Sequence, residues 1–102
     1  MKGRIDAQQL VRMARQGAAA DVDEMMDLLT QDSELRVIKA VDMALGFIES
    51  EAGRLRMLHY LFYGSVMQRN YAVNYFRRRE ERRPILEAWE HGLVDDIQAF
   101  SR

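Results

Sequence analysis

The chain has 102 residues, 48% of them apolar and 30% charged, with a formal net charge of −1. That length and balance point to one folded domain over residues 1–102 and exclude disorder and a global electrostatic attraction to nucleic acid or membrane. With no cysteine, a disulfide scaffold and a thiolate metal site are excluded; MKGRIDAQQL reads as no signal peptide, and no stretch nears the apolar length of a membrane span, so a soluble cytoplasmic protein is expected. The charge is unevenly placed: six basic and ten acidic side chains fall in residues 1–53, nine and six in residues 54–102.

One proline, six glycines and no sustained strand alternation predict helix throughout. Asp6 reads as an N-cap completed by Gln9, with Ile5 and Leu10 as a hydrophobic staple. This first helix carries Leu10, Met13 and Ala14 inward and stops at Gly17. Asp21 with Glu24 repeats the start signal, and Val22, Met25, Met26 and Leu29 supply the buried side. Asp23, Glu24 and Asp27 then suit the positive end of the helix dipole better than a calcium loop, whose ligand spacing and turn glycine are missing.

Asp32 or Ser33 is expected to cap a third helix. Its inner stripe is Leu35, Ile38, Val41, Leu45 and Ile48, with Val37, Ala40, Ala44 and Phe47 beside it. Glu49 to Gly53 reads as a break. Leu55, Leu58 and Leu61 or Phe62 are then expected inside, and Arg56, His59 and Tyr63 on the opposite side. Gly64 and Ser65 mark a turn. The following helix runs from Val66 to Arg79, with Ala72, Val73, Tyr75 and Phe76 as core. Pro84 fits the first turn of a helix holding Leu86 and Trp89 and ending at Gly92. Asp95 caps a last short turn through Ile97 and Phe100.

The third helix and its lead-in, residues 28–48, resemble one element of a HEAT-type repeat. The likeness rests on Asp32, Val37, Lys39, Ala40, Ala44, Leu45, Gly46 and Ile48, and a weaker echo sets Ser65, Ala72 and Val73 against Ser33, Ala40 and Val41. The resemblance implies stacked antiparallel helix pairs with a protein-binding surface. The expected fold is therefore all-α, six or seven short helices in a compact bundle or a short antiparallel HEAT-like stack.

For chemistry, the spacing of Arg54 and His59 resembles the R-x4-H signature of HEPN-type ribonucleases. That likeness implies an arginine on the scissile phosphate and a histidine assisting the 2′-hydroxyl, as the alternative catalytic pair. Leu55 stands where that family usually has a polar residue, and five residues do not share a helix face. His91, one turn after Glu87, complements a helix C-terminus rather than starting a metal site. No nucleophile motif or phosphate loop is present, so no catalytic residue, metal or cofactor is assigned.

The binding residues expected are Arg69, Tyr71, Tyr75, Arg77, Arg78, Arg79, Arg82 and Arg83, read as an exposed tyrosine–arginine surface softened by Glu80 and Glu81. The function expected is a non-catalytic protein-interaction module whose partner is another protein or a second copy, as a homodimer. Surplus tyrosines at 60, 63, 71 and 75 motivate the second copy. The alternative partner is single-stranded RNA, bound by phosphate pairing and base stacking.

Overall fold

A computed structural model describes residues 6–101; Ile5 of the expected staple lies outside them. The described residues form seven helices and no strand: α1 Ala7–Gln16, α2 Ala19–Met26, α3 Leu35–Leu45, α4 Glu51–Tyr63, α5 Val66–Arg78, α6 Arg82–Glu90 and α7 Asp96–Phe100. The fold is all-α, as composition and periodicity required. No helix among these residues is long and apolar enough to cross a membrane. Spatial proximity divides the chain into two units, with the boundary at Arg56 and Met57 inside α4.

In the first unit, α1 packs on α2 and α3. Asp6 Oδ1 accepts the Gln9 amide at 2.8 Å, and Gly17 ends the helix in the left-handed region at φ 66°. Leu10 and Ala14 are fully buried, while Met13 is half-buried. The second helix starts at Ala19, two residues before Asp21, with Ala18 as its N-cap. The helix-favouring alanines 18–20 extend it, and Asp21 works from inside the first turn, its carboxylate accepting the Ala18 amide. Val22, Met25, Met26 and Leu29 are buried as their spacing predicts.

Neither Asp32 nor Ser33 caps α3. The N-cap is Glu34, with no side-chain cap bond. Ser33 instead turns back on its own loop, where Oγ donates to the Leu28 carbonyl and accepts the Thr30 amide. Ile38, Val41, Ala44 and Leu45 form the buried face. Leu35 is exposed because it is the first residue of the helix, ahead of its packed turns. The helix stops at Leu45, so Phe47 and Ile48 belong to the turn after it; Ile48 is buried and Phe47 is not.

The break lies at 46–50 rather than 49–53, and Gly53 is helical. Ser50 Oγ donates to the Gly17 carbonyl at 2.7 Å and accepts the Gly53 amide at 3.0 Å, tying the end of α1 to the start of α4. A Cβ on Gly17 would collide with Ser50 Oγ, and one on Gly53 would meet Ile48 and Ser50. That close approach sets the rotation of α4. With Gly53 facing in, Met57, Tyr60 and Leu61 follow at four, seven and eight residues and are buried. Leu55, about 200° round from Gly53, is exposed, and Leu58 and Phe62 are only half-buried. Arg56 closes a two-point ion pair with Asp23, Nε to Oδ1 at 2.7 Å and Nη2 to Oδ2 at 3.3 Å.

In the second unit, α6 packs on α5 and α7. Ser65 and Gln68 form a reciprocal capping box at the start of α5, with bonds of 3.1 and 2.9 Å. Ala72, Val73, Tyr75 and Phe76 are all buried, and the rings of Tyr75 and Phe76 meet edge to face at 4.9 Å. The inward face of α6 is Pro84, Ile85 and Ala88. Leu86 is half-buried and Trp89 is 37% exposed, because Ile85 and Ala88 take the inward positions one turn apart. Gly92, at φ 74°, ends this helix region, and Asp95 with Gln98 caps α7.

Candidate functional site

The arginine-rich stretch divides by what each guanidinium holds. Arg69 donates to three carbonyls at the end of α4, those of Leu61 at 3.0 Å, Phe62 at 3.5 Å and Gly64 at 3.2 Å. Carbonyls of a helix's last turn have no partner within the helix, and a cation there also meets the negative end of the dipole. Arg77 donates to Gln98 O at 2.9 Å and Arg82 to Ala99 O at 3.4 Å, both at the end of α7. Arg79 pairs with Glu81 at 2.7 Å and lies 5.3 Å from the centre of the Tyr75 ring. Arg78 and Arg83 are exposed, and Tyr71 is half-buried.

Tyr75, expected both as core and as part of an exposed tyrosine–arginine surface, is core at 1% exposure. It shares the inward face of α5 with Ala72 and Phe76, so it presents no open ring face. Of the four tyrosines, only Tyr63 is fully exposed, at 77%. Its ring lies 5.4 Å from that of His59. His59 is exposed and also contacts the edge of Tyr60, while Arg54 is half-buried. On an ideal helix the two stand about 140° apart. His91 caps α6, its Nδ1 bonded to the Glu87 carbonyl at 2.8 Å; since a carbonyl only accepts, Nδ1 carries the proton. No group of three or more His, Asp or Glu among the described residues gathers as a metal site.

The surface that sequence reasoning missed is α7 and its surroundings. This five-residue helix is strapped down by polar links. Besides Arg77 and Arg82, Gln98 Nε2 donates to Asn70 Oδ1 at 2.7 Å and Trp89 Nε1 to Asp96 Oδ1 at 2.8 Å. Ala99 alone of its side chains is buried. Ile97 and Phe100, one turn apart, are 76% and 52% exposed, and Phe100 meets the Trp89 ring edge to face at 5.0 Å. Scattered surface hydrophobics are ordinary, but here an indole, a phenyl and an isoleucine lie on two adjoining helices. The available signal was the spacing of Ile97 and Phe100 on a helix too short to bury both. Beside them lies a groove of about 660 Å³ lined by Arg77, Glu80, Arg82, Ile85, Gln98, Ala99, Phe100 and Ser101.

No family model, curated protein or solved structure matches the chain.

Proposed function

We propose that the protein is a non-catalytic interaction module that docks another protein on the outer surface of α6 and α7. The observation that carries this reading is the outward placement of Ile97 and Phe100 on a helix held by hydrogen bonds. Polar straps keep α7 in place, so its two large apolar side chains are left for something else. Together with Trp89 they form the aromatic and aliphatic centre typical of binding hot spots, rimmed by arginines.

A second copy is the less favoured occupant of this face. A two-fold contact pairs a surface with itself, and a groove lined by two arginines and one glutamate does not match its own charge. The RNA reading loses the Tyr75 ring as a stacking platform.

Selection of a random displayed peptide library on the intact protein tests the reading. Enriched peptides are expected to bind the wild type and to lose binding to the Ile97→Asp, Phe100→Asp double variant. Failure to enrich any peptide, or enrichment indifferent to the two substitutions, would refute it.

A further inference from the structure

The groove beside α7 has a chemistry more specific than a general contact face. We propose that its occupant is an acidic amphipathic segment of a partner protein, an assignment that rests on the docking role of α6 and α7. A bulky apolar side chain of that segment packs on Phe100, and its carboxylates meet Arg77 and Arg82.

Three observations carry this. First, the groove joins two chemistries within about 660 Å³: Ile85 and Phe100 are apolar, Arg77 and Arg82 cationic. Second, the two guanidiniums are already positioned. Among the described residues each uses a single donor, on a carbonyl at the end of α7, and keeps the rest of its fork. A guanidinium fixed in this way offers paired N–H groups that match a planar carboxylate, and less side-chain freedom is lost when the partner arrives. Third, the charge lining the groove favours an anion, with two arginines against one glutamate.

Glu80 sharpens the inference. It is the one non-glycine residue with positive φ among the described residues, at 60°, and it lines the groove with the arginines. Its carboxylate repels an incoming acidic segment, so it sets the affinity below what the arginines alone would give. Removing that charge therefore tightens binding, whereas for a basic or neutral ligand it would weaken binding or leave it unchanged.

The test uses a labelled helix-forming peptide with leucines at helical spacing and glutamates elsewhere. Three relatives accompany it: one with glutamine for glutamate, one with serine for leucine, and single-stranded oligouridine. Binding is read by anisotropy and by emission of Trp89, the sole tryptophan, which touches Phe100. The glutamate–leucine peptide is expected to bind and shift the Trp89 emission. The glutamine and serine versions should each bind about tenfold more weakly. Phe100→Ser should weaken binding about tenfold with the helical circular dichroism unchanged, and Glu80→Gln should tighten it about threefold.

Equal binding of the glutamine and glutamate peptides would overturn the acidic specification and leave the docking role standing. Binding by none of the peptides would overturn both. Tighter, steeply salt-dependent binding of oligouridine would overturn both in favour of RNA.

Discussion

Gly17 and Glu80 adopt the same left-handed conformation with opposite consequences. At Gly17 the conformation costs little, and the missing Cβ leaves room for Ser50 Oγ between the ends of α1 and α4. Gly17→Ala should lower stability by about 1–3 kcal/mol, from strain and the collision together. A urea midpoint equal to wild type would contradict that. At Glu80 the side chain opposes the conformation. The turn still forms because the Glu81 amide bonds back to the Phe76 carbonyl at 2.9 Å, closing the end of α5. Glu80→Gly should therefore raise stability by about 0.5–1 kcal/mol, the relief of left-handed strain less the chain entropy of glycine. A lower melting temperature for this variant would show that the Glu80 side chain makes a compensating contact.

Helix ends decide where the arginines go. An α-helix leaves its last carbonyls without internal partners, and a long flexible guanidinium can reach them from a neighbouring turn. Arg69 does this for α4, and Arg77 and Arg82 for α7. Arg69→Leu keeps most of the apolar stem but removes three bonds, and should cost about 1–2 kcal/mol in thermal or urea unfolding. Arg83→Ala, at an exposed site, should stay within about 0.5 kcal/mol of wild type. Equal effects would mean that the capping bonds contribute nothing. The caps at Asp6 and Asp95 were legible because each is settled within four residues of chain. The destinations of the arginines were not, because Arg77 and Arg82 act on residues 21 and 17 positions away.

The molecule keeps burial and exposure of large side chains apart by role. Phe76 is fully buried and meets Tyr75 edge to face. Phe76→Ala should cost about 3–5 kcal/mol, against a total of roughly 5–15 kcal/mol for a domain of this size. Urea unfolding of the purified variant checks this, and a loss under about 1 kcal/mol would mean that the site collapses around the smaller residue. Ile97→Ser removes an equally apolar side chain at a cost within about 0.5 kcal/mol, because little is buried there. A large loss on Ile97→Ser would assign α7 a packing role and remove the basis for a docking surface.

By itself the sequence determined the all-α class, the caps at Asp6 and Asp95, the glycine stop at Gly17 and the buried stripe of α5. These depend on neighbours three or four residues apart, where backbone amides, short polar side chains and helical spacing leave little choice. Tertiary structure alone decided the rotation of α4 and the outward face of α7. An apolar residue can belong to either of two stripes on a helix. Which stripe is buried depends on distant contacts such as the Ser50 bond to the Gly17 carbonyl beside Gly53, and on whether a short helix is held by its apolar side chains or, as in α7, by hydrogen bonds that leave Ile97 and Phe100 exposed.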